Sequence, residues 1–174
     1  RLRVLSLLGV RFNLGRALRR CSRGVLGLTH VGLFDTIASH HYFGTTDEQL
    51  GLADLAARAP ALEMAHFDGP VSTDELLEFL RSASNLQVAS VDMGRYGIDS
   101  TQWPAVVFKK LAGDLALAEQ LIAIRLYSDS WWQGSDEQLK ALNSAEAELI
   151  RARTGRQGPF DACHGEDSGK LGHE

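Results

Sequence analysis

Apolar residues recur along this chain in a six-position pattern, in which a leucine is followed by apolar residues three and five positions later. One copy spans 62–67 and another spans 86–91. Apolar residues at every second position are typical of a strand that buries one face, so each copy predicts a short β-strand. The copies that predict successive strands begin at Leu2, Leu28, Leu62, Leu86, Leu121 and, in a weaker match, Leu149.

The segments between these copies have the patterns of helices. A Ser or Thr followed three residues later by Glu or Gln is a capping box, which marks a helix start. Such pairs mark the starts of three predicted helices: Thr45 with Glu48, Ser72 with Glu75, and Ser135 with Gln138. These patterns predict helices over 14–23 and 45–59, and helices that begin at Ser72 and Ser135. A further helix is predicted from about Pro104 to Gln120.

Strand-like and helix-like units alternate at a regular spacing. The leading leucines are 24 to 35 residues apart, with a mean of about 29, close to the length of a leucine-rich repeat. This predicts an α/β solenoid over residues 1–154, a right-handed superhelix of about five to six repeats with a parallel sheet on its concave face and helices on its convex face. The alternative is an ordinary α/β domain whose strands happen to share a pattern.

The end of the chain departs from this regularity. Residues 149–154 fit either a frayed last strand or the end of the preceding helix. From Gly155 onward the sequence is rich in glycine, polar and aperiodic, which predicts a C-terminal tail over 155–174.

Composition sets limits on the class of protein. The 174 residues are 44% hydrophobic and 23% charged, which is ordinary for a globular domain. No apolar run is long enough to predict a membrane span. Two cysteines, Cys21 and Cys163, give no disulfide framework and indicate a reducing, intracellular compartment, either cytoplasmic or nuclear.

Charge is distributed unevenly along the chain. Residues 1–34 contain seven arginines and no acid, although the net charge of the whole chain is −4. Such a start is compatible with an organellar targeting peptide, but the apolar pattern of 2–8 favours a first strand of the repeat array. Because solenoids need their end faces protected, we expect that strand to be covered by preceding sequence or by a partner subunit.

Two central segments resemble a known class of repeat. The helix start Thr46-Asp-Glu-Gln-Leu50 leads into Ala59-Pro-Ala-Leu62, and Thr73-Asp-Glu-Leu-Leu77 leads into Ala83-Ser-Asn-Leu86. Both are similar to leucine-rich repeats of the ribonuclease-inhibitor-like type, as found in F-box and related intracellular proteins. The asparagine that many such repeats carry after the strand is absent, and no F-box is present. The resemblance implies a protein-binding solenoid.

The two-residue alternation of strands also predicts a binding surface. In each strand the residues between the buried positions point to the opposite, concave face. We expect this face to bind a protein partner through an apolar and aromatic end, an acidic middle and a basic end, made of Phe34, Met64, His66, Asp68, Ser90, Asp92, Arg125, Tyr127, Arg151 and Arg153. The alternative for Asp68 and Asp92 is that they are turn residues that end their strands, since each lies close to a glycine.

Catalytic and cofactor motifs are weak. Ser22 lies in a sequence close to a nucleophile elbow, and Asp35 and His164 follow in the order of a hydrolase triad, which keeps a small α/β serine hydrolase as the alternative function. His40-His41 lack metal-ligand spacing, and Cys163-His164 with Glu166 and Asp167 could hold a metal only weakly, since such a tail is more often solvated. No phosphate-binding glycine motif is present. The basic start has no interleaved aromatic residue apart from Phe12, and the overall charge is negative, which disfavours nucleic acid. The sequence thus predicts a non-enzymatic scaffold or adaptor without metal or cofactor.

Overall fold

The structure is a computed structural model that describes residues 2–8, 27–34, 52–68, 71–92, 102–127, 135–157 and 160–165. Strands and helices alternate through these ranges. In chain order they are β1 (Val4–Leu8), β2 (His30–Phe34), α1 (Leu52–Arg58), β3 (Met64–Asp68), α2 (Thr73–Ser82), β4 (Val88–Asp92), α3 (Trp103–Gly113), α4 (Leu115–Glu119), β5 (Ala123–Tyr127), α5 (Asp136–Gln157) and β6 (Asp161–Gly165).

The six strands form one parallel sheet in which chain order and spatial order coincide, β1-β2-β3-β4-β5-β6. The prediction that the strands led by Leu28, Leu62, Leu86 and Leu121 are successive neighbours is confirmed. The register also follows the apolar pattern, since Ala65 pairs with Ala89 and Ala89 pairs with Ile124. The chain therefore has an α/β fold built on a parallel sheet.

One face of this sheet forms the core. Its strand residues are buried together with residues of the helices in a single apolar cluster. Phe67 of β3 meets Phe79 of α2 at a centroid distance of 5.0 Å and an interplanar angle of 83°, the edge-to-face arrangement that aromatic rings favour. Because the leading leucines of β2 to β5 are also fully buried, the apolar pattern marks the inner face of the sheet.

A turn recurs at the entry to three strands. The amide of the leading leucine donates to the carbonyl of an alanine three residues earlier: Leu62 to Ala59, Leu86 to Ala83 and Leu121 to Ala118. The shared Ala-x-x-Leu sequence explains the repetition, since a small residue and a buried leucine occupy equivalent places. The third of these turns was not part of the sequence-based resemblance.

Local capping sets the helix starts. Ser72 Oγ accepts a hydrogen bond of 3.2 Å from the amide of Glu75, and Ser135 and Gln138 exchange bonds of 2.8 and 3.3 Å in both directions of a capping box. The sequence predicted both starts. The predicted cap at Thr45 and Glu48, and the predicted helix over 14–23, lie outside the described residues.

Two predicted boundaries are corrected. The single helix expected from Pro104 to Gln120 is divided at Asp114, whose non-helical backbone ends α3 and whose carboxylate accepts from the amide of Leu117 to begin α4. Residues 149–154 lie within α5, so the helical alternative is the right one for that stretch. The sixth strand is instead 161–165, inside the predicted tail.

Candidate functional site: the open face of the sheet

The face of the sheet opposite the core is here called the open face. Its described members are Val4, Ser6, His30, Gly32, Met64, His66, Asp68, Val88, Ser90, Asp92, Ala123, Arg125, Tyr127, Asp161 and Cys163. Most are exposed or half-buried, whereas the inward residues of β2 to β5 are buried. This contrast distinguishes the molecule from parallel sheets that are covered on both faces.

Strand register orders these side chains into three rows that cross the strands. The entry row, where strands begin, contains Val4, His30, Met64, Val88, Ala123 and Asp161; the middle row contains Ser6, Gly32, His66, Ser90, Arg125 and Cys163; the exit row contains Asp68, Asp92 and Tyr127. Neighbours within a row are about 4.8 Å apart, and successive rows are about 6.6 Å apart along the strands.

The entry row is mainly apolar. Val4 is 59% exposed and Met64 is 42% exposed, and Val88 between β3 and β5 is half-buried. His30 is held at the start of β2 by a contact of 2.8 Å between its Nδ1 and Thr29 Oγ1. Exposed apolar side chains that are adjacent in register form a patch, and such patches mark interaction surfaces when they are large enough.

The middle row is polar, and its larger side chains contact their neighbours. His66 Nδ1 lies 2.9 Å from Ser90 Oγ across the β3–β4 pair. Arg125 Nη2 lies 3.2 Å from Asp161 Oδ2, with both side chains about half exposed. The hydrogen bond to Asp161 raises the pKa of Arg125, so the guanidinium is charged throughout the accessible pH range. An ion pair this exposed contributes little to stability, so the pair orients Arg125 more than it holds the fold.

Cys163 ends the middle row on β6. Burial is the main cause that raises the pKa of its thiol, and the nearby Asp161 carboxylate raises it further. Arg125 and a hydrogen bond with Tyr127 act in the opposite direction without reversing the shift. A thiol with a raised pKa is largely protonated at neutral pH and is a poor nucleophile.

The exit row carries the acidic groups of the face. Asp68 and Asp92 are direct partners in the β3–β4 register, and Asp92 is in turn the partner of Tyr127. Both carboxylates are half-buried. Like charges at directly opposite positions of neighbouring strands repel each other.

Most of the predicted site residues lie on one surface. Met64, His66, Asp68, Ser90, Asp92, Arg125 and Tyr127 are all on the open face. Phe34 is in β2 as expected and pairs with Leu8, but its side chain lies outside what the structure describes.

The predicted placement of Arg151 and Arg153 on the sheet is wrong, because both residues belong to α5. Arg151 is exposed and bonds to the carbonyl of Ala147 in its own helix. Arg153 is buried, and it donates to the carbonyls of Ala118, Glu119 and Leu121 at 3.0 to 3.1 Å. The predicted basic end of the surface is thus reduced to Arg125.

Two members of the open face, Asp161 and Cys163, were not predicted from the sequence. They lie on β6, which has no leading leucine. The available signal was Phe160 and Ala162, two apolar residues in a polar stretch, which are both buried. Of the alternative triad, Ser22 and Asp35 lie outside the described residues, and His164 pairs with Leu126 in the β5–β6 register.

A second concave region lies between α2 and α3 on the helical side. It is a groove of about 630 Å³, open to solvent and lined by Asp74, Leu77, Glu78, Arg81, Lys110, Gly113 and Asp114. Lys110 pairs with Asp74 at 2.9 Å and Arg81 pairs with Asp114 at 3.7 Å. Its charges are therefore largely satisfied within the molecule.

Among the described residues, no three His, Cys, Asp or Glu side chains are grouped in a way that could bind a metal ion. None of the helices in the described ranges combines the length and the apolar character needed to cross a membrane. Comparisons with protein-family models, with curated proteins and with solved structures gave no match to this chain.

Proposed function

We propose that this chain is a non-enzymatic scaffold or adaptor that binds a protein on the open face of a leucine-rich-repeat type solenoid. The observation that carries this proposal is the asymmetry of the sheet, whose inner face is buried beneath helices while the other face presents three ordered rows of side chains. A parallel sheet that leaves one face available is the arrangement with which solenoid proteins bind extended partners.

Three further features support a solenoid. The strands follow one another in chain order, which is how neighbouring repeats stack. The Ala-x-x-Leu turn recurs at three strand entries. Side chains also connect successive units, since Asn85 and Gln120, which each precede a leading leucine, donate to the carbonyls of Pro60 and Leu80 in the unit before.

The composition of the open face also suits protein recognition. Tyr127 and Arg125 are residue types enriched at the centres of protein interfaces, and Met64 belongs to the same group. Their neighbours, His66 and Ser90, provide adaptable hydrogen-bonding groups at half-buried positions. A surface that combines these elements favours a protein partner over a small molecule, which would need an enclosed pocket.

The test is a charge reversal at two positions of the open face, Arg125→Glu with Asp92→Arg. Proteins captured from a cell extract by the original chain are identified, and the affinity of the purified partner is then measured for both forms. We expect binding to fall at least about tenfold, with an unchanged Tm, because both side chains are partly exposed.

A matched double variant, Lys109→Glu with Glu78→Lys, makes the same exchange of charges at exposed positions on the helical side. It should bind normally. Equal loss in both variants would place the interface elsewhere, and a lower Tm only in the open-face variant would make Arg125 and Asp92 structural residues.

A further inference from the structure

We infer that the groove between α2 and α3 is a protein-binding site separate from the open face. It takes a short peptide segment of a partner, with a Lys or Arg side chain of that segment directed at Glu78. The inference goes beyond the proposed function and does not depend on it, because the groove lies on the helical side. It rests on the pattern of charges along the two helices and on the space beside Gly113.

The groove is formed by two facing helix surfaces, and every residue that lines it belongs to the described ranges 71–92 and 102–127. On α2 the lining residues lie at 74, 77, 78 and 81, and on α3 and its C-terminal cap they lie at 110, 113 and 114. Both sets have the i, i+3, i+4 spacing that places side chains on one face of a helix. The shape of the groove is therefore set by two regular helices.

Two ion pairs cross the groove from one helix to the other. Lys110 Nζ lies 2.9 Å from Asp74 Oδ1, and Arg81 Nη2 lies 3.7 Å from Asp114 Oδ2. Positions 77 and 78 fall between these pairs along α2, and position 113 falls between them along α3. The middle of the groove thus lies between two bridges.

The middle of the groove offers an unused carboxylate. Glu78 is exposed, and it has no hydrogen-bond or ion-pair partner among the residues that the structure describes. Arg81, three residues later on the same helix, is too far from Asp114 for a hydrogen bond. A peptide that places a cationic side chain at Glu78 and a backbone carbonyl at Arg81 would satisfy both groups.

Gly113 provides the room for such a side chain. A Cβ atom at this position would meet no atom within 4 Å. Leu77, which is 3% exposed, contributes an apolar part of the lining. The methylene stem of Lys or Arg packs on apolar surface while its charged end reaches a polar group. Because the groove of about 630 Å³ is open to solvent, it suits a segment of chain better than an enclosed small molecule.

The experiment is a peptide selection made specific for the groove. Phage that display random linear heptapeptides are first depleted on the immobilised Gly113→Leu variant and are then enriched on the original whole chain. The added leucine side chain fills the space beside position 113, so the depletion removes peptides that bind elsewhere. We expect the enriched sequences to share a Lys or Arg. Fluorescence anisotropy then gives the Kd of the most enriched peptide.

The decisive variant is Glu78→Gln, which removes the charge and keeps the size of the side chain. We expect the Kd of the selected peptide to rise about fivefold. The control, Glu137→Gln, removes the same charge from an exposed position of α5 and should leave the Kd unchanged. Replacement of the shared basic residue of the peptide by Gln should weaken binding to the original chain but not to Glu78→Gln, because the two changes remove the same interaction.

Several outcomes would overturn the inference. These are an absence of enrichment, enriched peptides without a shared basic residue, and equal Kd values for Glu78→Gln and Glu137→Gln. A lower Tm of the Gly113→Leu variant would also do so, since it would show that the space is not open. We expect that Tm to be unchanged or higher, because glycine is a poor helix former.

The two proposals fail separately. The double variant Lys109→Glu with Glu78→Lys should bind the partner of the open face normally and lose the groove peptide. The charge reversal at Arg125 and Asp92 should have the opposite effect. Loss of the groove peptide in both double variants would contradict a separate site.

Discussion

The guanidinium carbon of Arg153 lies 5.7 Å from the centre of the Phe160 ring. This contact joins the end of α5 to the residue that precedes β6, while the hydrogen bonds of Arg153 tie α5 to the end of α4 and to Leu121, which precedes β5. Arg153 is only 3% exposed. A residue that the sequence assigned to a binding surface therefore connects α5 to the end of α4 and to the entries of β5 and β6.

Replacement of Arg153 by Ala should lower the free energy of unfolding by about 3–5 kcal/mol, since it removes three hydrogen bonds to backbone carbonyls and opens a cavity. Arg153→Lys should be intermediate, because an ammonium cannot reproduce the planar fork that serves three carbonyls. Urea unfolding measures both. Arg151→Ala, at an exposed position of the same helix, should change stability by less than about 0.5 kcal/mol. Similar losses at 151 and 153 would contradict a buried role for Arg153.

Phe79→Ala should destabilise the protein by about 3–5 kcal/mol, because the side chain is fully buried and faces the Phe67 ring. Phe79→Leu keeps most of the apolar volume, so we expect a loss of less than half as much. Thermal and urea unfolding should agree on this order. Val106→Ala on the exposed side of α3 serves as the control, and an equal effect there would show that the core is not centred between β3 and α2.

Ser72→Ala should cost about 1 kcal/mol of stability, because it removes the side-chain acceptor for the amide of Glu75 at the start of α2. Ser72→Asp should restore the bond and add a favourable charge at the helix N-terminus. Chemical denaturation is sufficient to measure these differences. Ser84→Ala, an exposed change just beyond the same helix, should be neutral. An effect of equal size at Ser84 would show that the loss at Ser72 is not due to capping.

Cys163 should react slowly with iodoacetamide near pH 8, because burial and then Asp161 raise the pKa of its thiol and reduce the thiolate fraction. In a Cys21→Ser background, where Cys163 is the only thiol, the midpoint of the rate-versus-pH curve should lie above that of the same chain in urea. Asp161→Asn should lower the midpoint and Arg125→Gln should raise it. A folded midpoint at or below the unfolded one would contradict this environment.

Asp68, Asp92 and Arg125 show how far the sequence could define the candidate site. Strand alternation alone placed them on the same face, and the structure agrees. Their grouping into rows follows the repeated apolar pattern, because equivalent positions of successive copies pair in the register. The predicted basic end of the sheet keeps Arg125 but loses Arg151 and Arg153, which belong to α5.

The sequence by itself determined the strands β1 to β5, their order and the helix starts at Ser72 and Ser135. These features depend on interactions that nearby residues specify. Alternating apolar residues bury one side of each strand, and capping side chains bond to the free amides at the start of a helix. Tertiary structure decided the rest. Residues 149–154 have an apolar spacing that suits a strand or a helix, and packing of Leu149 in the core selects the helix. β6 exists because β5 offers it a pairing edge, and Arg153 is buried because three carbonyls from a distant segment accept its hydrogen bonds.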